Sequence, residues 1–210
     1  MRLDIASEAL TRWVELPPIG AETQAWRAEL VDGLLRTWES GWSREVAEDA
    51  LDHGLAARDP DALSTLQLWP GDGPANATVQ LSVHAAPPVE RLVEQAFPGD
   101  DVVVERLDGA TVGPGYEVVW MVTLPDGAQG VAARHAFTDG ETLLLVTLDV
   151  THPLFAASIL ETVRDLARGI VVEHDDGTPW QAYPLLEHVV VDEQVEGWAV
   201  VPIDAEADAS

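Results

Sequence analysis

Histidines and carboxylates lying close together are where this chain could do chemistry, and two places qualify. His174-Asp175-Asp176 sets an imidazole and two carboxylates within one turn, donors that suit a divalent metal. Asp149 and His152 stand where a predicted strand hands over to a predicted helix, a junction at which functional groups are often displayed. Neither spacing is a recognised ligand set. Each group also has a purely structural reading, the first as a solvated acidic turn and the second as a helix cap in which Asp149 or Thr151 meets free amides. His84 belongs to the polar side of a predicted strand beside Ser82 and Gln80, where it could line a groove. His135 points with Val131, Ala133 and Phe137 and reads as a core histidine, and His188 follows no pattern.

Other catalytic signatures are missing. Gly109-Ala110-Thr111-Val112-Gly113-Pro114-Gly115 has the glycines of a phosphate loop, but no Lys-Ser/Thr pair and no helix start follow it. There is no Gly-x-Ser-x-Gly elbow, and no serine has a histidine at motif spacing. The chain has no cysteine, which removes thiolate nucleophiles, disulfides and sulfur-ligated metals. No catalytic residue, metal or cofactor is therefore predicted. The remaining candidates are aromatic: Trp13, Trp26, Trp38 and Trp42 are four of the eight tryptophans and crowd into the first quarter of the chain. Trp26 and Trp38 lie on a helical stripe, where such rings serve either core packing or a ligand-stacking surface.

Charge narrows the partners. Eleven basic residues against 37 acidic ones give a net charge of −26, and every basic residue is arginine. Such a surface repels nucleic acid and anionic membranes over a Debye length of about 8 Å at physiological salt. It suits a basic protein partner, mimicry of nucleic acid, or simple solubility. The longest apolar runs fall well short of the ~20 residues that span a bilayer. Met1 to Glu8 carries two acids where a signal peptide needs an apolar stretch, so the expected address is cytoplasmic.

Three β-rich runs, Val118 to Leu124, Gln129 to Phe137 and Leu143 to Val150, are joined by Pro125-Asp126-Gly127 and Asp139-Gly140 and predict an antiparallel meander. Leu144, Val146, Leu148 and Val150 form its continuous apolar face. Thr151-His152-Pro153 then opens a helix on which Phe155, Ile159, Val163, Leu166 and Ile170 make one stripe to cover that face. Arg164 and Arg168 favour its carbonyl end, and Gly169 offers a left-handed stop. Earlier, Leu3 to Trp13 is an ambiguous lead-in, and Glu22 to Glu39 and Ser43 to Ala57 predict a helical hairpin. Leu63 to Trp69 and Thr78 to Ala86 predict paired strands, the second with Thr78, Gln80, Ser82 and His84 facing water. A short helix opened by Pro87-Pro88, a strand from Val102 to Leu107, two closing strands at Leu185 to Val191 and Gly197 to Ile203, and a frayed acidic tail from Asp204 complete the chain. The order predicts one α+β domain over residues 1–203, its sheet mainly antiparallel, with a long helix packed on the meander and an N-terminal helical hairpin.

Trp13-Val14-Glu15-Leu16-Pro17, the element order through the middle, and the closing meander with Thr151-His152-Pro153 and its helix resemble the Mog1/PsbP-like α+β superfamily. The resemblance covers Trp13 to Val172 as a pattern, with the helical pair from Glu22 to Ala57 and the strands after Val172 as departures. It implies a small sheet flanked by helices and an accessory or protein-binding role, and it carries over no functional residue. The expected function is a non-catalytic protein-binding module. The alternatives are an enzyme, metal-dependent or acting on a small molecule, that uses a sheet-face cleft, and a nucleic-acid mimic that binds a basic protein.

Overall fold

The computed structural model describes residues 1–21, 23–37, 43–69, 76–88 and 103–183. Trp38, the short helix after Pro88, the closing strands and the acidic tail lie outside them. The described residues form an α+β fold built on a seven-stranded sheet in which every neighbouring pair is antiparallel. Its strands are β2 (Trp13–Leu16), β3 (Ser64–Leu68), β4 (Ala77–Ala85), β5 (Val103–Leu107), β6 (Gly115–Thr123), β7 (Gln129–Thr138) and β8 (Thr142–Thr151). Across the sheet they run β2-β3-β4-β8-β7-β6-β5. The turns between β6, β7 and β8 contain Gly127 at φ 84° and Gly140 at φ 90°, a backbone region that glycine enters without a Cβ penalty.

Three α-helices accompany the sheet: α1 (Gln24–Thr37), α2 (Arg44–Ala57) and α3 (Pro153–Arg168). Helix α3 contacts β7 and β8, and its Ile159, Val163 and Leu166 are buried with Val79, Leu81, Phe137, Val146 and Leu148. Helices α1 and α2 contact each other and close a second cluster around Leu16, Val31, Leu51 and Trp69. Ser43 caps α2 by accepting from the Val46 amide at 3.2 Å. No helix among the described residues is long and apolar enough to cross a membrane.

Five expectations are revised, the first being that Ile170, expected on the stripe of the long helix, instead opens a strand after α3 ends at Arg168. The lead-in from Leu3 to Trp13 resolves into β1 (Arg2–Ile5), a 3-10 turn (Ser7–Leu10) and the start of β2; β1 pairs with β9 (Ile170–Glu173) in a separate two-stranded sheet. The polar side of β4 is not uniformly wet, because α2 lies against that end of the sheet and Thr78 is buried with Thr65 and Gln67 of β3. Gly169 is right-handed, at φ −81° and ψ 0°. It is needed for clearance: a Cβ there would meet the Ala9 Cβ at 2.8 Å, so glycine lets the 3-10 turn close on the end of α3. Lastly, the apolar face of β8 is interrupted before Val150.

That interruption is a β-bulge. Leu148 pairs with Ala133 and Thr151 with Val131, so Asp149 and Val150 together oppose the single residue Ala132. Gly130 makes room for it, since a Cβ there would strike Val150 Cγ1 at 2.3 Å. Val150 is left exposed, and Asp149 turns toward β4 and the end of α2.

Candidate functional site

The bulge brings the Asp149/His152 junction into a cleft. Its walls are His53 and Ala57 from α2, Asn76 to Thr78 at the start of β4, and Asp149 to His152, enclosing about 360 Å³. Gln80 of β4 donates from Nε2 to Asp149 Oδ2 at 3.2 Å and to the Ala57 carbonyl at 2.7 Å, while its Oε1 accepts from the Asp59 amide at 2.9 Å. The amide is thereby locked between the end of α2 and the bulge. Burial, outweighing the hydrogen bond from Gln80 and the charge of His53 and aided by the negative charge of Asp59, brings the Asp149 carboxyl up to about 6. A carboxyl titrating there can exchange a proton near neutral pH, or hold a cation once ionised.

His152 is itself the cap of α3: Nδ1 accepts from the Leu154 amide at 3.3 Å. The cap role expected of Asp149 or Thr151 belongs to the imidazole. Accepting at Nδ1 leaves the ring proton on Nε2.

The other sequence candidates are dispersed. His84 is exposed and bonds Ser82 Oγ at 2.9 Å. It lies five residues along β4 from Val79, the partner of Leu148, so at ~3.4 Å per residue it is about 17 Å from the bulge. His174 sits in the turn after β9, with its amide donating to Thr178 O at 2.8 Å. Asp175 pairs with the N-terminal ammonium, and Asp176 accepts from the amide and hydroxyl of Thr178. Trp26 is half-buried against the α1–α2 cluster. Among the described residues, no group of three or more His, Asp or Glu side chains is placed to hold a metal ion.

A scan against models of known protein families found no match, and a search of curated proteins found no relative. Function must be read from the chain's own chemistry.

Sequence reasoning missed the most buried ionic group among the described residues. Glu117 of β6, only 2% exposed, accepts from His135 Nε2 at 2.7 Å and from Arg164 of α3 at Nε and Nη2. Burial pushes its carboxyl upward, but the hydrogen bonds from His135 and Arg164 outweigh that and hold it at about 2. The carboxylate and imidazole are buried beneath α3, and Arg164 reaches them from its partly exposed position on the helix, so the arrangement works as a clamp between helix and sheet. Its signal was present in the hairpin: the turn centres on Asp126, and Glu117 and His135 lie equally far on either side of it, hence directly paired.

Apolar side chains gather elsewhere, at the edge of the large sheet. Ile19 is 58% and Leu63 57% exposed, and two adjoining grooves share Glu15, Leu63 and Ser64 along edge strand β2. Asp4 and Asp59 line them as well. Arg58, in the same wall, is turned onto the carbonyls of Leu55 and Pro17.

Proposed function

We propose that this chain is a non-catalytic accessory or protein-binding module, whose acidic surface draws a basic protein partner onto the apolar groove at the β2 edge. The observation that carries the reading is where the arginines go. Arg2, Arg27, Arg44, Arg106, Arg164 and Arg168 all form ion pairs with the chain's own carboxylates. Six of the eleven arginines are thus paired within the chain, while a net charge of −26 remains to act on partners. Exposed Ile19 and Leu63, flanked by Glu15 and Asp59, supply an apolar anchor inside that field. A basic segment carrying apolar residues complements both features.

In this reading the long helix on the meander and the N-terminal helical hairpin form the rigid scaffold, and Trp26 contributes packing while Ile19 and Leu63 make contact. Membership of the Mog1/PsbP-like superfamily and a cytoplasmic address belong to the same proposal. Hydrogen exchange on the complex tests the location: slowed exchange in Trp13–Leu16 and around Leu63 is expected. Protection confined to other surfaces would remove the groove from the account.

A further inference from the structure

We infer that the cleft at the β8 bulge is a binding site for an organic cation, a guanidinium or alkylammonium group seated against Asp149. This site is separate from the β2-edge groove and does not depend on the partner reading. Three observations converge on it. The bulge places two residues opposite Ala132 and turns Asp149 out of the regular ladder into a cleft of about 360 Å³, large enough for a basic side chain or a small amine. Gln80 is held at both ends by the backbone, so it fixes Asp149 Oδ2 in position and is the one hydrogen-bond donor the described residues give that carboxylate. The walls add Asn76, Thr78 and Thr151, side chains able to accept hydrogen bonds from a multi-donor cation.

A cation also resolves the electrostatic tension at the site. Burial disfavours the charge on Asp149, and a positive group in the cleft offsets that penalty. A metal ion is less suited, because no three ligating side chains converge among the described residues. An anion would meet Asp149 and Asp59 in a strongly negative field. Ligand binding is therefore coupled to ionisation of Asp149. The titratable groups facing it are His53 from α2, Asp59 beyond α2 and His152 at the start of α3.

Two probes distinguish the sources of such a group: agmatine represents a free small amine, and an acetylated, amidated Gly-Arg-Gly peptide represents a basic residue of a polypeptide. Amide shifts by NMR should cluster at Gln80, Asp149, Val150 and Thr151 for one or both probes. Affinity should weaken about tenfold between pH 7 and pH 5, following protonation of a carboxyl near 6. Asp149→Asn should lower affinity at pH 7 by at least about tenfold, whereas Leu63→Ser should leave it unchanged. Agmatine alone binding assigns a small-molecule site, and the peptide alone binding assigns recognition of a basic residue. Absence of shifts in the cleft with both probes, or undiminished binding to Asp149→Asn, would overturn the inference. Since Asn keeps the shape and removes a desolvated charge, the variant is expected to fold.

Discussion

Arg164 reaches from α3 to place Nη2 2.6 Å from Oε1 of Glu117, a carboxylate buried in β6 and approached on its other oxygen by His135. Helix and sheet are joined here through a charge as well as through the apolar stripe. His135 Nδ1 is buried without a hydrogen-bond partner among the described residues, so the tautomer protonated at Nε2 leaves only a lone pair unsatisfied. Removing the arginine should be costly because the carboxylate stays behind. Arg164→Met is expected to destabilise by about 3 kcal/mol in chemical denaturation. Combined with Glu117→Gln, the loss should be smaller than the sum of the single losses, and strict additivity would show that the clamp is not coupled.

The same carboxylate sets an acid limit. Its folded value of about 2 lies below its ordinary 4.5, so its contribution is present above 4.5 and is lost as pH falls through 2. The difference corresponds to roughly 3 kcal/mol at neutral pH. Stability measured by urea denaturation should fall between about pH 5 and pH 2, and Glu117→Gln should flatten that limb.

Asp149 predicts the opposite sign. Its folded value of about 6 lies above its ordinary 3.8, so its favourable contribution is full below 3.8 and disappears as pH rises through 6. Asp149→Asn should therefore stabilise the free protein at pH 7, by about 1 to 2 kcal/mol after allowing for solvent screening, and should have little effect near pH 4. Thermal denaturation at the two pH values measures the difference. A variant less stable at pH 7 would mean that the carboxylate is held by favourable contacts.

Gly169→Ala tests the clearance beneath the 3-10 turn. A helix-end glycine with right-handed backbone would ordinarily gain from alanine, but here the added Cβ meets Ala9 at 2.8 Å. Destabilisation of about 1 to 3 kcal/mol is expected from overpacking. A stabilised variant would show that the turn yields freely.

The sheet's central strands were legible because their apolar alternation and glycine turns act locally: residues flanking Pro125-Asp126-Gly127 pair symmetrically about it. Strands β1 and β2 were not, since each has only four residues and β1 finds its partner, β9, at the far side of the chain. The polar face of β4 read as wet because alternation reports which residues share a side, not what another element lays over them; α2 lies on Gln67, the cross-strand partner of buried Thr78. Asp149 and His152 were visible as a pair. The bulge that aims Asp149, and His53 arriving from α2, depend on tertiary contacts, although Gly130 within a strand was a local hint.

The central claim is tested most directly by capture from the source lysate on immobilised protein, at low and at high salt, using the wild type and an Ile19→Ser/Leu63→Ser variant, with captured proteins identified by mass. The account predicts one basic protein, bound faster at low salt, retained by the wild type at high salt through the apolar contact and lost by the variant. Capture of an acidic or neutral protein, or equal retention by wild type and variant at high salt, would contradict it.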